Sequence, residues 1–175
     1  FLQNAEDSGL SETLCSYHKT FIGAAEKGLL PKPKCIVYTN LACDANLLTF
    51  HRLAEFYHVP VFSIDVPSRQ TASNVAYVAA QLRALKRFLE QTTGRLIDED
   101  LLAERVARGR ETLEEFEKFQ SARADCFIPS DLVSPLYSGM TNNILLGTEE
   151  EKLYTEKLLK DIKNAPPKKG KHIYW

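Results

Sequence analysis

The sequence predicts an α/β fold: a Rossmann-like parallel sheet of βαβ type with a large helical portion, so that helix outweighs strand. Three observations predict it. Two short apolar runs, 34–39 and 61–65, are bounded by turn residues, as strands covered on both faces are. Between them Leu47, Phe50, Ala54 and Tyr57 recur at helical spacing. The remainder carries long helical periodicities, with no internal repeat and no low-complexity segment.

In chain order, residues 11–28 read as a helix with Leu14, Tyr17, Phe21 and Ala25 on one face, ended by Gly28 and the punctuation of Pro31 and Pro33. The run 34–39 is a buried strand that breaks off at Thr39 and Asn40, and a helix restarts at Cys43 and Asp44. The next strand, 61–65, is closed by Pro67. Strand, helix and strand within so short a span form a right-handed βαβ unit with parallel strands. Beyond it, Val75, Val78, Leu82, Leu85 and Leu89 line one helix up to Gly94. A second long helix from about Asp98 is expected to bury Leu102, Val106, Leu113 and Phe116 behind a charged outer face. Thr148 to Glu151 has the pattern of a capping box opening a last helix to about Asn164. Pro166 to Gly170 then resembles a linker, and the final five residues begin another strand.

Bulk composition narrows the function classes. The chain has 175 residues, 44% hydrophobic and 26% charged, enough for a real core, and its formal net charge of -1 gives no footprint for nucleic acid or a membrane surface. No apolar run approaches the roughly 20 residues a bilayer requires, and no charged-then-apolar leader is seen, so a cytoplasmic protein is expected. Four cysteines in such a setting point away from a disulfide framework and towards metal, catalysis or plain packing.

The cysteines separate by position. Cys35, beside Ile36 and Val37, reads as buried filler in a strand, and Cys126, next to Phe127 and Ile128, reads the same way. Cys15 and Cys43 each fall near a helix N-terminus, where the macrodipole favours thiolate, the form that ligates metal. Spacing alone leaves a shared site and filler both open: there is no C-x-x-C, and two lone cysteines match no zinc or ferredoxin pattern. Asp44 suits an N-cap that takes up a backbone donor in the first helical turn. His18 and His51 lie on helices that carry or follow these cysteines, where each suits a solvated or core role better than a chemical one. His58 and His172 carry no signal. Arg83, Lys86 and Arg87 form a small basic face that reads as solvated before it reads as a seat for phosphates.

Residues 15–67 taken together resemble the D-component family of 2-hydroxyacyl-CoA dehydratases, which includes the benzoyl-CoA reductase subunits. The pieces that carry the resemblance are Cys15 with Ser16, Gly23 in the same helix, the strand leading to Cys43 and Asp44, and the second strand closing with Asp65, Val66 and Pro67. The helical region to Asn164 and the lysine-rich run after it fit the inter-domain segment of that family. On this likeness, residues 1–67 are the α/β cluster-binding part of a first domain. Residues 68–165 are a helical segment packing on it, and 166–175 are a linker and the first strand of a truncated second α/β domain, so the chain is expected to be a fragment.

The resemblance implies a [4Fe-4S] cluster held by Cys15 and Cys43, with a third cysteine beyond this chain. It implies radical elimination of water from a 2-hydroxyacyl-CoA through a ketyl, started by one electron from an ATP-dependent iron-sulfur activator protein. It also implies a homologous second subunit in a heterodimer. Ring reduction of the benzoyl-CoA type, or a non-catalytic interaction subunit of the same fold without a cluster, are the alternatives.

Overall fold

A computed structural model describes residues 1–41, 43–127 and 134–168; for 134–137 and Thr141 only the backbone course is described. Two compact units divide the chain, Phe1–Ile97 and Asp98–Trp175.

The first unit runs α1 (Leu2–Asp7), α2 (Ser16–Glu26), β1 (Ile36–Thr39), α3 (Ala45–Tyr57), β2 (Val61–Ile64) and α4 (Ala72–Thr93). β1 and β2 are parallel neighbours in the register Ile36 to Val61 through Thr39 to Ile64, with α3 as the connection, so the expected βαβ unit is present. This helix-rich unit with a small two-stranded parallel sheet is the α/β element that the alternation of periods predicted. His58 makes the reversal out of α3: at φ 52° it takes a left-handed C-terminal position that seldom suits a non-glycine residue, and Val59 N–H returns to Ala54 O at 3.0 Å.

The core of this unit is Ala5, Leu10, Ile22, Ala25 and Leu53, with Leu14, Phe21, Leu30, Ile36, Phe50 and Tyr57 packed around it. α1, which helical spacing did not reveal, docks on α2 so closely that a Cβ on Gly23 would lie 2.3 Å from Phe1 O. Lys19, almost buried, reaches back to Glu6 of α1 at 2.6 Å and to the carbonyl of Glu12 at 2.9 Å, so its charge is met on two sides.

Several expectations are corrected here. The first predicted helix begins at Ser16 and not at residue 11, because Leu14 N–H closes a turn on Ser11 O at 3.0 Å and the Thr13 N–H binds the Ser11 hydroxyl. Cys35 precedes β1 and is half-buried, so it is not the strand-core filler expected. The stripe of α4 is also not sealed: no residue of that helix is fully buried, and Val75 and Leu82 are exposed. A two-stranded sheet offers a narrow apolar surface, and α4 spends its contacts on β2, as in the 5.4 Å approach of Phe62 and Phe88. Its C-terminal end is as expected, Gly94 at φ 70° closing the helix, while at the start Thr71 caps the Asn74 N–H.

The second unit holds α5 (Glu99–Ala122), α6 (Ser134–Ile144) and α7 (Glu149–Lys163). Asp98 caps α5, accepting from Asp100 and Leu101 N–H. The buried face of α5 is Gly109, Thr112 and Phe119, whereas Leu102, Val106 and Leu113 are exposed and Phe116 is half-buried. The prediction rotated the helix because it weighed apolar side chains and discounted Gly109 and Thr112. These small residues admit close contact with α7 and the turn before it: a Cβ on Gly147 would meet Arg105 O at 2.6 Å, and Gly147 itself sits at φ 83°. The capping signal of α7 is met with a shift. Thr148 accepts from Glu151 N–H, but the buried Glu151 carboxylate accepts from Gly147 N–H at 2.8 Å, since Thr148 N–H is taken by Leu145 O. Pro166 to Lys168 pair antiparallel with Asp125 to Phe127 through hydrogen bonds of 2.8 Å. The strand expected over the final five residues lies outside the described residues.

Candidate functional site

In an open parallel sheet, ligands gather over the carboxyl ends of the strands, because helix N-termini and their unpaired N–H groups converge there. The two strand ends are tied together by side chains. Asn40, just past β1, donates from Nδ2 to Asp65 Oδ1 at 2.6 Å and accepts the Val66 N–H on Oδ1 at 2.8 Å. Gln81 of α4 clamps Asp65 from the other side, accepting its N–H and donating to its carbonyl, both at 2.8 Å. Tyr77 donates its hydroxyl to Asp65 Oδ2 at 3.1 Å, and that hydrogen bond, with the nearby negative charge, raises the phenol above its ordinary pKa.

The same loop carries Cys43. Its ends are fixed on both sides: Leu41 N–H binds Thr39 Oγ1, and Asn46 Nδ2 of the first turn of α3 donates to the Thr39 carbonyl at 3.0 Å. Cys43 is exposed, immediately before the Asp44 N-cap, and Asn46 N–H returns to the Cys43 carbonyl. Asp44 does not cap with its carboxylate as expected. Its backbone is already helical at φ -65° and ψ -23°, a conformation that points the side chain away from the first-turn amides, unlike the extended cap of Thr71.

Cys15 is the N-cap of α2 and is exposed, and its carbonyl accepts the His18 and Lys19 N–H groups. His18 is the point at which the two cysteine loops meet. Nε2 lies 3.7 Å from Cys43 Sγ, and Nδ1 lies 2.9 Å from Thr49 Oγ1 on α3. His18 is 3% exposed, so of the solvated and core roles the sequence left open it takes the core one, with one nitrogen beside a thiol. His51 is exposed and lies edge-to-face with the Tyr38 ring at 5.7 Å between centroids. Lys86 lies near Glu90 at 3.8 Å, and Arg83 and Arg87 are exposed, as a solvated face would be.

Thr49, Asn40, Asp65 as a bridge, Tyr77 and Gln81 were missed in the sequence. Thr49 left one signal: it is a polar residue within the stripe of Phe50, Leu53 and Ala54 that turns α3 inward.

Chemically, an exposed thiol at the start of each of two helices, one of them with its sulfur 3.7 Å from a buried imidazole, has the donor type that soft metals and sulfur-bridged clusters take. Among the described residues no group of three or more His, Cys, Asp or Glu side chains is assembled to hold a metal ion. No helix among the described residues is long and apolar enough to cross a membrane.

Comparison with known proteins gives two findings. The model of the family described as 2-hydroxyglutaryl-CoA dehydratase, D-component, matches residues 1–175. One curated protein, (R)-2-hydroxyglutaryl-CoA dehydratase, subunit alpha, of Acidaminococcus fermentans, is 29% identical over 75 residues, an alignment covering 41% of this chain and 16% of that protein.

Proposed function

Because the chain belongs to the 2-hydroxyglutaryl-CoA dehydratase D-component family, we propose that it is part of an iron-sulfur subunit of a dehydratase that removes water from a 2-hydroxyacyl-CoA. The observation that carries this reading is the pair Cys15 and Cys43: both thiols are exposed, and His18 joins the loop of one to the sulfur of the other. In this reading the two sulfurs hold a [4Fe-4S] cluster whose third cysteine belongs to a part of the protein beyond residues 1–175. The cluster would supply Lewis-acid and one-electron chemistry at the acyl thioester.

The task of this chain is then placement. Cys15 stands at the start of α2 and Cys43 just before the start of α3. The Asn40, Asp65 and Gln81 lattice holds the strand ends from which the Cys43 loop departs, so the sulfur is presented from a fixed base and not from a free loop. The two-stranded unit fits as one edge of a larger Rossmann-like sheet. The partners on this reading are a homologous subunit, since the relative's name specifies subunit alpha, and an ATP-dependent activator that delivers the electron, all within the cytoplasm.

Anaerobic purification of the full-length subunit, reconstitution with ferrous iron and sulfide, and iron counting test the proposal. Iron and sulfide bound in the ratio of a cubane, and lost when Cys15 or Cys43 is replaced by Ser, is the expected result. A full-length subunit that takes up no iron would overturn it.

A further inference from the structure

We propose that His18 is a positioning residue that donates its Nε2–H to the Cys43 sulfur, and that Thr49 holds the imidazole in the tautomer that makes this possible. The inference deepens the reading above and rests on Cys43 being a cluster ligand.

The argument starts from burial. His18 is 3% exposed and Thr49 1%, so their polar atoms have to find partners inside the protein. Thr49 has one hydroxyl proton. A threonine inside a helix often returns that proton to a carbonyl one turn back, but Thr49 makes no such bond among the described residues: its hydroxyl is 2.9 Å from His18 Nδ1. If Thr49 donates, Nδ1 is the acceptor and the ring proton sits on Nε2. If Nδ1 carried the proton instead, it would donate to Thr49 Oγ1 and leave the hydroxyl proton buried without an acceptor, which is the costlier arrangement. The favoured tautomer therefore aims an N–H at Cys43 Sγ, 3.7 Å away, within the range of a hydrogen bond to sulfur.

Three elements make the arrangement rigid. His18 stands in the first turn of α2 next to Cys15, its ring edge is packed by Tyr17 at 5.3 Å, and Thr49 is one of the buried residues of α3. A donor held in this way does two things to a ligating thiolate: it fixes the side-chain rotamer, and it withdraws charge from the sulfur, which raises the potential of the cluster bound to it. Sequence spacing hides the device, because 31 residues separate His18 from Thr49 and 25 separate it from Cys43.

The test has two arms. In the 175-residue chain labelled with 15N-histidine, without metal, long-range 1H–15N correlations report the His18 tautomer. The Nε2–H form is expected in the wild type and in Thr49→Ser, and its loss or mixing with the other form in Thr49→Val, which keeps the volume and removes the hydroxyl. An Nδ1–H wild type, or a signature unchanged in Thr49→Val, would overturn the assignment. In the full-length subunit reconstituted with ferrous iron and sulfide, Thr49→Val is expected to retain iron with a reduction potential shifted negative, and Thr49→Ser to restore the wild-type potential. Unshifted potential with full iron in Thr49→Val overturns the role of His18 alone. Failure of the wild type to bind iron, with the Nε2–H tautomer intact, overturns the cluster reading and leaves the hydrogen bond standing.

Discussion

Asn40 and Asp65 face each other across the carboxyl ends of two parallel strands, Nδ2 to Oδ1 at 2.6 Å, so the side chains continue a pairing that the backbone has already ended. Asn40 also accepts the Val66 N–H, so one residue holds the exit of both strands. Replacing Asn40 by Ala removes both bonds, each worth about 1 kcal/mol net, and is expected to cost on the order of 2 kcal/mol. Urea denaturation with an unchanged slope would measure it. A loss below about 0.5 kcal/mol would show that the lattice is ornamental to stability.

Tyr77 gives the same lattice a pH dependence. Its hydroxyl donates to Asp65, which raises its pKa in the folded state, so the folded chain holds the phenol proton more tightly than the unfolded chain does. The sign follows: the contribution is fully present below the unfolded phenol value of about 10 and is lost as pH rises through the raised folded value. Comparison of the alkaline arm of the melting curve in wild type and Tyr77→Phe checks this. The wild type should fall more steeply there, and parallel arms would refute it.

Gly23 is a position where close approach decides. A Cβ there would lie 2.3 Å from Phe1 O, so Gly23→Ala has to push α1 off α2, although alanine is the better helix former. The displacement exposes Ala5 and loosens the Lys19 pair with Glu6, for an expected net loss of about 1 to 3 kcal/mol. Hydrogen exchange gives the local test: the Ala5 amide, bonded to Phe1 O at 3.1 Å, should lose protection while the β1 amides keep theirs.

Glu6 and Lys19 make a charge pair that is mostly removed from water, with side-chain exposures of 22% and 9%. Glu6→Gln keeps the shape and leaves the ammonium with the Glu12 carbonyl as its main partner, at a cost of about 2 to 3 kcal/mol. Glu6→Gln with Lys19→Met should recover much of that loss, since two well-packed neutral side chains carry no desolvation debt. A double-mutant cycle by thermal denaturation measures the coupling.

What could be read from the sequence follows from how local each signal is. The two strands and the helix between them were legible because β-type runs, punctuation by Pro60 and Pro67, and a helical stripe lie within a short window. The helix starts at Asp98 and Thr148 were legible for the same reason, being marked by side-chain-to-backbone bonds two or three residues long. The inward face of α5 was not, because Gly109 and Thr112 turn inward only when a partner comes close, and apolar weight pointed to Leu102 and Val106 instead. At the site, the cysteines stood out by residue type and by the strand-to-helix transition. Thr49 and the Asn40 to Asp65 bridge did not, since contacts made across 25 or more residues leave no periodicity to detect.

The sharpest contrast is between Cys43 and Cys35. Cys43 is exposed at the start of α3, so Cys43→Ser removes little buried apolar area and is expected to change stability by less than about 0.5 kcal/mol. Serine oxygen is a poor ligand for iron in a thiolate set, so the same change should cost the full-length subunit its reconstituted cluster. Cys35 lies just outside β1 and is half-buried, away from any helix N-terminus, so Cys35→Ser should cost no more than about 1 kcal/mol and leave iron content unchanged. Two measurements on each variant, a thermal melt and an iron count after anaerobic reconstitution, separate the roles. Equal iron in Cys43→Ser and wild type would remove Cys43 from the ligand set. Loss of iron in Cys35→Ser with an unchanged melt would move the site to the other end of β1.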